Sequence, residues 1–142
     1  MKHLRYFLFI SLLLNGLSCA YAQSSDAFYD DLGGKAGVRK ISEALLSVVR
    51  ADSRIKAQFV EIDEERFLEK LSEQICQLSG GPCQYSGKSM EVIHEGMKVT
   101  VAQFNALAED LQQAMTQQAI PNSIQNRLIA KLAPMQRAIV GK

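Results

Sequence analysis

Few side chains in this sequence have the type and setting to do chemistry. The stretch Tyr85-Ser86-Gly87-Lys88-Ser89-Met90-Glu91-Val92-Ile93-His94-Glu95-Gly96 carries one of only two histidines. The other, His3, falls in an N-terminal segment with the pattern of an export signal. Any reaction needing an imidazole in the mature protein therefore rests on His94. A lone histidine between apolar Val92-Ile93 and Met97 reads first as a packing residue, and otherwise as a metal or cofactor ligand. Cys76 and Cys83 are a second pair of interest. In an oxidising compartment they invite a disulfide turned by Gly80-Gly81-Pro82; in a reducing one they are two buried thiols.

Other chemistry has no support. No Gly-x-Gly-x-x-Gly or Walker loop is present to cradle phosphate, no zinc spacing of histidines and no Gly-x-Ser-x-Gly nucleophile turn. A Cys-x-x-Cys-His run is also missing, which excludes covalent c-type haem attachment.

Residues 1–22 set the context. Lys2, His3 and Arg5 make a positive start, Tyr6 to Leu17 an apolar run, and Ala20-Tyr21-Ala22 a small-x-small cleavage site before Gln23. The run is about a dozen residues, against the roughly 20 a membrane span needs. Export with cleavage is expected, to the periplasm or outside; a retained anchor or lipidation at Cys19 is the alternative. Losing Lys2 and Arg5 with no acid turns the formal charge of +1 into −1. That balance gives no electrostatic reason to bind nucleic acid or an acidic membrane. Residues 23–142, about 120, suit a single domain.

The elements that must position His94 read as helices. Ser25-Asp26 can cap a short turn through Leu32, stopped by Gly33-Gly34. Val38, Ile41, Leu45, Val48 and Val49 recur at three and four residues, a helical stripe ending near Asp52-Ser53. Asp63 opens a helix with Phe67, Leu71, Ile75 and Leu78 on one face, closed by Gly80-Gly81-Pro82. Thr100 and Gln103 have capping-box spacing, with Val99 and Phe104 placed as a hydrophobic staple and Phe104, Leu107, Leu111 and Met115 as the stripe. Pro121-Asn122-Ser123 starts the last helix, through Ile124, Leu128, Leu132, Met135 and Ile139, and Pro134 is expected to kink it. Nothing alternates with period two for long. The fold class is all-α.

In order and spacing these pieces resemble the group I truncated haemoglobins, small globins with a two-over-two helical sandwich. The matching residues are Tyr29-Asp-Asp-Leu-Gly33-Gly34, Ala51-Asp52-Ser-Arg-Ile55, Phe59, Gly80-Gly81-Pro82, Tyr85-Ser-Gly87, Met90-x-x-x-His94-x-Gly96 and Phe104. The resemblance implies haem b with His94 as proximal iron ligand. On a short helix, the Met90 carbonyl one turn back would accept from the other ring nitrogen and fix the tautomer. Phe67, Leu71 and Ile75, with Phe104, Leu107 and Leu111, would form apolar walls around the porphyrin, with Phe59 packed on the ring and Tyr85 among the cofactor-binding residues. Without His94, each of these side chains would read as ordinary core.

Departures from the family pattern bear on function. Leu46 stands where members commonly carry a tyrosine that donates to bound oxygen, and Phe67 and Leu71 stand where glutamines are frequent. A partly negative bound oxygen without a donor loses about 1.5–3 kcal/mol. Fast release and easy oxidation follow. Lys70 stands beside Leu71, where some members carry an iron-binding His or Lys. It reads three ways: as a deprotonated sixth ligand, as a partner, with Arg66, of a haem propionate, or as a solvated surface residue. Gln74 would reach the pocket only if the helix were rotated.

The function implied is reversible binding of a diatomic gas (oxygen, NO or CO), of oxygen-carrier type, with an unidentified reductase as a conceivable partner. The second reading is haem redox chemistry, such as NO oxidation or peroxidase-like activity, which lacks an evident acid–base partner. The third, from another class, is a haem-free helical interaction module.

Overall fold

A computed structural model describes residues 27–142. The export segment and the Ser25-Asp26 cap lie outside these residues. Among the described residues every regular element is helical. The order is α1 (Phe28–Asp31), α2 (Gly34–Ala51), a 3-10 turn (Lys56–Phe59), α3 (Glu64–Leu78), α4 (Met90–His94), α5 (Val101–Gln117), α6 (Asn122–Leu132), a second 3-10 turn (Ala133–Met135) and α7 (Gln136–Ile139). No helix among them is long and apolar enough to cross a membrane.

Helix α2 is the hub. Val38, Ile41, Leu45, Leu46, Val48 and Val49 are all buried, because residues three and four apart share one face. Each buried side chain of this size contributes about 1.5–3 kcal/mol relative to exposure. That face packs on both α3 and α5. Phe28 of α1 is fully buried beneath the Arg127 guanidinium of α6, 4.4 Å from the ring centroid. Buried Ser42 donates to the Val38 carbonyl at 3.0 Å and accepts from Ser72 of α3 at 3.0 Å. This satisfies an otherwise costly buried hydroxyl and sets α2 against α3. Arg39 forks onto Glu65 at 3.0 Å through both nitrogens on the exposed rim of the same joint.

Helix starts follow local chemistry. Asp63 accepts from the Arg66 amide at 3.1 Å, Ser89 from the Val92 amide at 3.4 Å. Thr100 and Gln103 form a reciprocal capping box. Each satisfies an amide that the first turn leaves without a carbonyl partner. The disturbance expected at Pro134 takes the form of a tightened turn: α6, the 3-10 turn and α7 follow one another without a break. Proline has no N–H to give the carbonyl of Ala130, and its ring crowds that carbonyl, so the chain tightens for a turn before resuming.

The connection from α3 to α4 is held closely. Cys76 and Cys83 are bonded, with Cα atoms 5.8 Å apart. A loop this short contributes about 2–3 kcal/mol in the chain-entropy account. Gly81 lies so near the Cys76 sulfur and the Tyr29 ring that a Cβ would stand 2.6 and 2.7 Å from them. A Cβ on Gly87 would run into the Tyr85 ring. Both glycines are there for close approach.

A buried carboxyl joins α2 to α5. Asp110 is 3% exposed, its Oδ2 has no hydrogen-bond partner, and its Oδ1 is 3.7 Å from Arg54. Burial first, and then the charge of Asp52, push the Asp110 carboxyl above its ordinary value, whereas the Arg54 guanidinium holds Asp52 below its own. The fold therefore favours the protonated form of Asp110 more than the unfolded chain does. Its share of stability is greatest below the ordinary carboxylate range and is lost as pH rises through the raised value. Asp52 acts oppositely, stabilising above its ordinary value and losing that contribution as pH falls. The variant D110N is expected to match wild type near pH 4 and to be more stable by about 1–2 kcal/mol at pH 7, since it buries no charge. Urea melts at the two pH values check this; an equal difference at both would refute it.

Candidate functional site

The site is built around α4, a single turn capped by Ser89 and resting on α7. His94 Nδ1 lies 2.7 Å from the carbonyl oxygen of Met90, one turn back. A carbonyl only accepts, so in the neutral ring the proton sits on Nδ1 and the lone pair on Nε2. The helix thus fixes both tautomer and ring orientation, leaving one nitrogen as a ligand. Val92 at 51%, Ile93 at 43% and Met97 at 36% exposure flank the histidine. Apolar side chains of this size left open around one imidazole are what a flat apolar group would cover.

Helix α3 and its neighbours carry the second group of residues named from the sequence. Leu46 is buried at 3%. Phe59 and Phe67 meet edge to face with centroids 5.7 Å apart. Phe59, Phe67, Leu71 and Leu107 are partly buried against the core, and Phe104 is half-buried. The side chains of Leu46, Phe67 and Leu71 offer no hydrogen-bond donor. Gln74 turns its amide to the sulfurs of Met90 and Met135 at 3.4 and 3.5 Å, bridging α3 to α4 and to the turn before α7. An open recess of about 460 Å³, lined by Arg50, Lys56, Ala57, Phe59 and Val60, shares only Phe59 with these residues.

Polar residues named from the sequence take distinct positions. Arg66 is exposed, with its backbone amide engaged at the α3 cap. The hydroxyl of Tyr85 donates to the Lys88 carbonyl at 2.9 Å, so it closes the loop. Lys70 is turned to acidic neighbours on its own helix and to the loop that follows. Its ammonium contacts Glu69 at 3.0 Å, both oxygens of Glu73 at 3.1 and 3.2 Å, and Ser86 Oγ at 2.7 Å. Hydrogen bonds to Glu69 and then Glu73 hold its proton more tightly than usual. Glu73 is pulled down to about 2, first by the Ser86 amide and hydroxyl and then by Lys70. Glu73 and Ser86 were not singled out from sequence. The Lys70–Glu73 spacing of three was the available signal.

Among the described residues no three His, Cys, Asp or Glu side chains converge as a metal nest. Iron held through His94 would need its remaining ligands from a prosthetic group. A short helix with one oriented imidazole, set in an all-helical chain with open apolar side chains beside it, is the arrangement expected of a globin.

The comparisons agree. The family model described as bacterial-like globin matches residues 27–140, and the chain belongs to that family. It is similar to a group 1 truncated hemoglobin of Tetrahymena pyriformis, 25% identical over 114 residues, covering 80% of this chain and 94% of the relative. It is also similar to the group 1 truncated hemoglobin GlbN of Mycolicibacterium paratuberculosis, 27% identical over 109 residues, covering 77% and 80%. The crystal structure of the Tetrahymena pyriformis truncated hemoglobin in its Fe(III) form superposes with a TM-score of 0.78 at 25% identity, covering 81% of this chain and 98% of that one. The 2/2 hemoglobin of a Synechococcus species shares the fold, with a TM-score of 0.71 at 24% identity over 78% of this chain and 94% of that one. The two-over-two all-α architecture read from sequence holds. Haem is the cofactor of truncated haemoglobins, and the residues here fit it: a His94 ring whose Nδ1 is held by Met90, leaving Nε2 as the ligand nitrogen, and uncovered apolar side chains beside it.

Proposed function

We propose that the protein binds haem b through His94 and reversibly takes up a diatomic gas on the opposite face. Haem bound there supplies an iron whose free position coordinates oxygen, NO or CO. The observation that carries the reading is the 2.7 Å bond from His94 Nδ1 to the Met90 carbonyl, which leaves Nε2 as the ligand. Phe59, Phe67, Leu71, Phe104 and Leu107 would hold the ring by apolar contact and exclude water. Arg66, exposed at the head of α3, is free to meet a propionate. Leu46, Phe67 and Leu71 give a bound gas no hydrogen bond. This favours fast exchange and a sensing, shuttling or redox role over tight oxygen storage. Export is part of the proposal; the residue 1–22 pattern supports it, as does the Cys76–Cys83 bond, which belongs to oxidising compartments.

The test is addition of haem to purified protein, followed by ferric, reduced and CO-treated absorption spectra. A Soret band that shifts with CO supports gas binding. A well-folded protein with no Soret band after haem addition would leave the helical interaction module. N-terminal sequencing of the same preparation from an exporting host, beginning at Gln23, would support export; a start at Met1 would count against it.

A further inference from the structure

Lys70 is the one amine on α3, and it stands at a border of that helix. Phe67 and Leu71, three before and one after, define the apolar face, while Glu69 and Glu73 lie to the other side. A lysine stem at such a border can lay its head over either side by changing rotamer. In this structure the head is turned wholly to the acidic side. Its contacts to Glu69, Glu73 and Ser86 number more than the three protons an ammonium can give. Glu73 does not merely follow the lysine. Its Oε2 accepts from the Ser86 amide at 3.0 Å and from the Ser86 hydroxyl at 2.9 Å. Ser86 sits in the loop closed by the Tyr85 hydroxyl on Lys88, by the Tyr85 amide on Gln77 and by the Cys76–Cys83 bond. Glu73 is thus anchored to a braced loop independently of Lys70, and both side chains are about three-quarters shielded, at 25% and 24% exposure.

We propose that Glu73, fixed by Ser86, is a positioning residue that keeps the Lys70 amine out of the haem pocket and so leaves the iron's gas-binding side apolar and open. The inference rests on the haem reading above. For Lys70 to reach the iron it must give up these partners and a proton, because only a neutral amine has a lone pair to coordinate. Replacing Glu73 by glutamine removes the charge and leaves one acceptor oxygen where Lys70 and Ser86 now share two. The competing position over Phe67 and Leu71 then becomes accessible.

The experiment compares haem-loaded wild type, E73Q, E73D, S86A and the double variant E73Q/K70A. Wild type is expected to be five-coordinate when reduced. E73Q is expected to show a six-coordinate low-spin fraction and slower CO association, about tenfold if the amine occupies the iron nine-tenths of the time. E73Q/K70A should return to the wild-type spectrum and rate, S86A should fall between, and E73D should restore most of the clamp. In haem-free protein, NMR of lysine side chains should show the Lys70 ammonium protons protected from exchange in wild type and rapidly exchanging in E73Q. A general loosening of the loop would not be reversed by removing Lys70, which separates positioning from mere structural damage. E73Q with a wild-type spectrum and CO rate would overturn the proposal, as would a wild type already low-spin through Lys70. A wild type with no Soret band is a different failure, removing the haem reading and this inference together.

Discussion

Replacing His94 with glycine is expected to reduce haem affinity by more than about a hundredfold, and added imidazole is expected to restore a Soret band. Losing only the outer partner of a metal-bound histidine commonly costs 10–100-fold in metal affinity, so losing the ligand itself should cost more. The second half of the prediction separates ligation from packing. His94 is only partly buried, and among the described residues its ring makes one polar contact, with the backbone of its own helix. A packing histidine would leave a cavity that free imidazole could fill without any optical consequence. A ligand histidine leaves an iron position that imidazole re-coordinates, visible in the spectrum. Haem titration of wild type, H94G and H94G with imidazole, together with circular dichroism to confirm helicity, makes the measurement. Equal haem affinity in wild type and H94G would refute His94 as the ligand. An H94G whose lost Soret band returns with imidazole would place the imidazole at the iron.

How much of this could be read before the fold was seen depended on sequence distance. The α2 stripe and the Thr100–Gln103 box were legible because their partners stand three or four residues apart on one helix, and the structure buries or bonds them as spaced. The His94–Met90 bond was legible for the same reason. The fit of Gly81 under Tyr29 was not, since that contact joins the start of α1 to the end of α3 and nothing in either segment names the other. Lys70 is the instructive case. Its place beside Leu71 was plain, and so was Glu73 three residues on. What could not be read was Ser86, which returns from the far loop to hold Glu73 and to meet the Lys70 ammonium itself. Pro134 was legible as a disturbance but not in its form. A missing N–H predicts a disturbance, but whether the helix bends or breaks depends on what receives the segment afterwards, and here α7 turns to support α4.

The variant L46Y is expected to slow oxygen release by about ten- to a hundredfold, the rate equivalent of the 1.5–3 kcal/mol that a hydrogen bond to a charged acceptor contributes. Leu46 projects from the buried face of α2, 3% exposed, into the same core cluster against which Phe59, Phe67 and Leu71 pack. On the proposed reading a phenol there offers the bound gas a donor that Leu46, Phe67 and Leu71 do not. CO carries little negative charge, so its release should change far less, and the oxygen-to-CO contrast is the signature. Overpacking of a full core can cost 1–3 kcal/mol, so a second variant, L71Q, tests the same idea at a partly buried position with nearly the same volume. Stopped-flow release of oxygen and of CO from reduced, haem-loaded protein gives all the rates needed. If both variants keep their helicity yet release oxygen as fast as wild type, then Leu46 and Leu71 do not face the bound gas. The apolar wall would then lie elsewhere. If oxygen release slows while CO release does not, the absence of a donor at these two positions is what tunes this globin for rapid exchange.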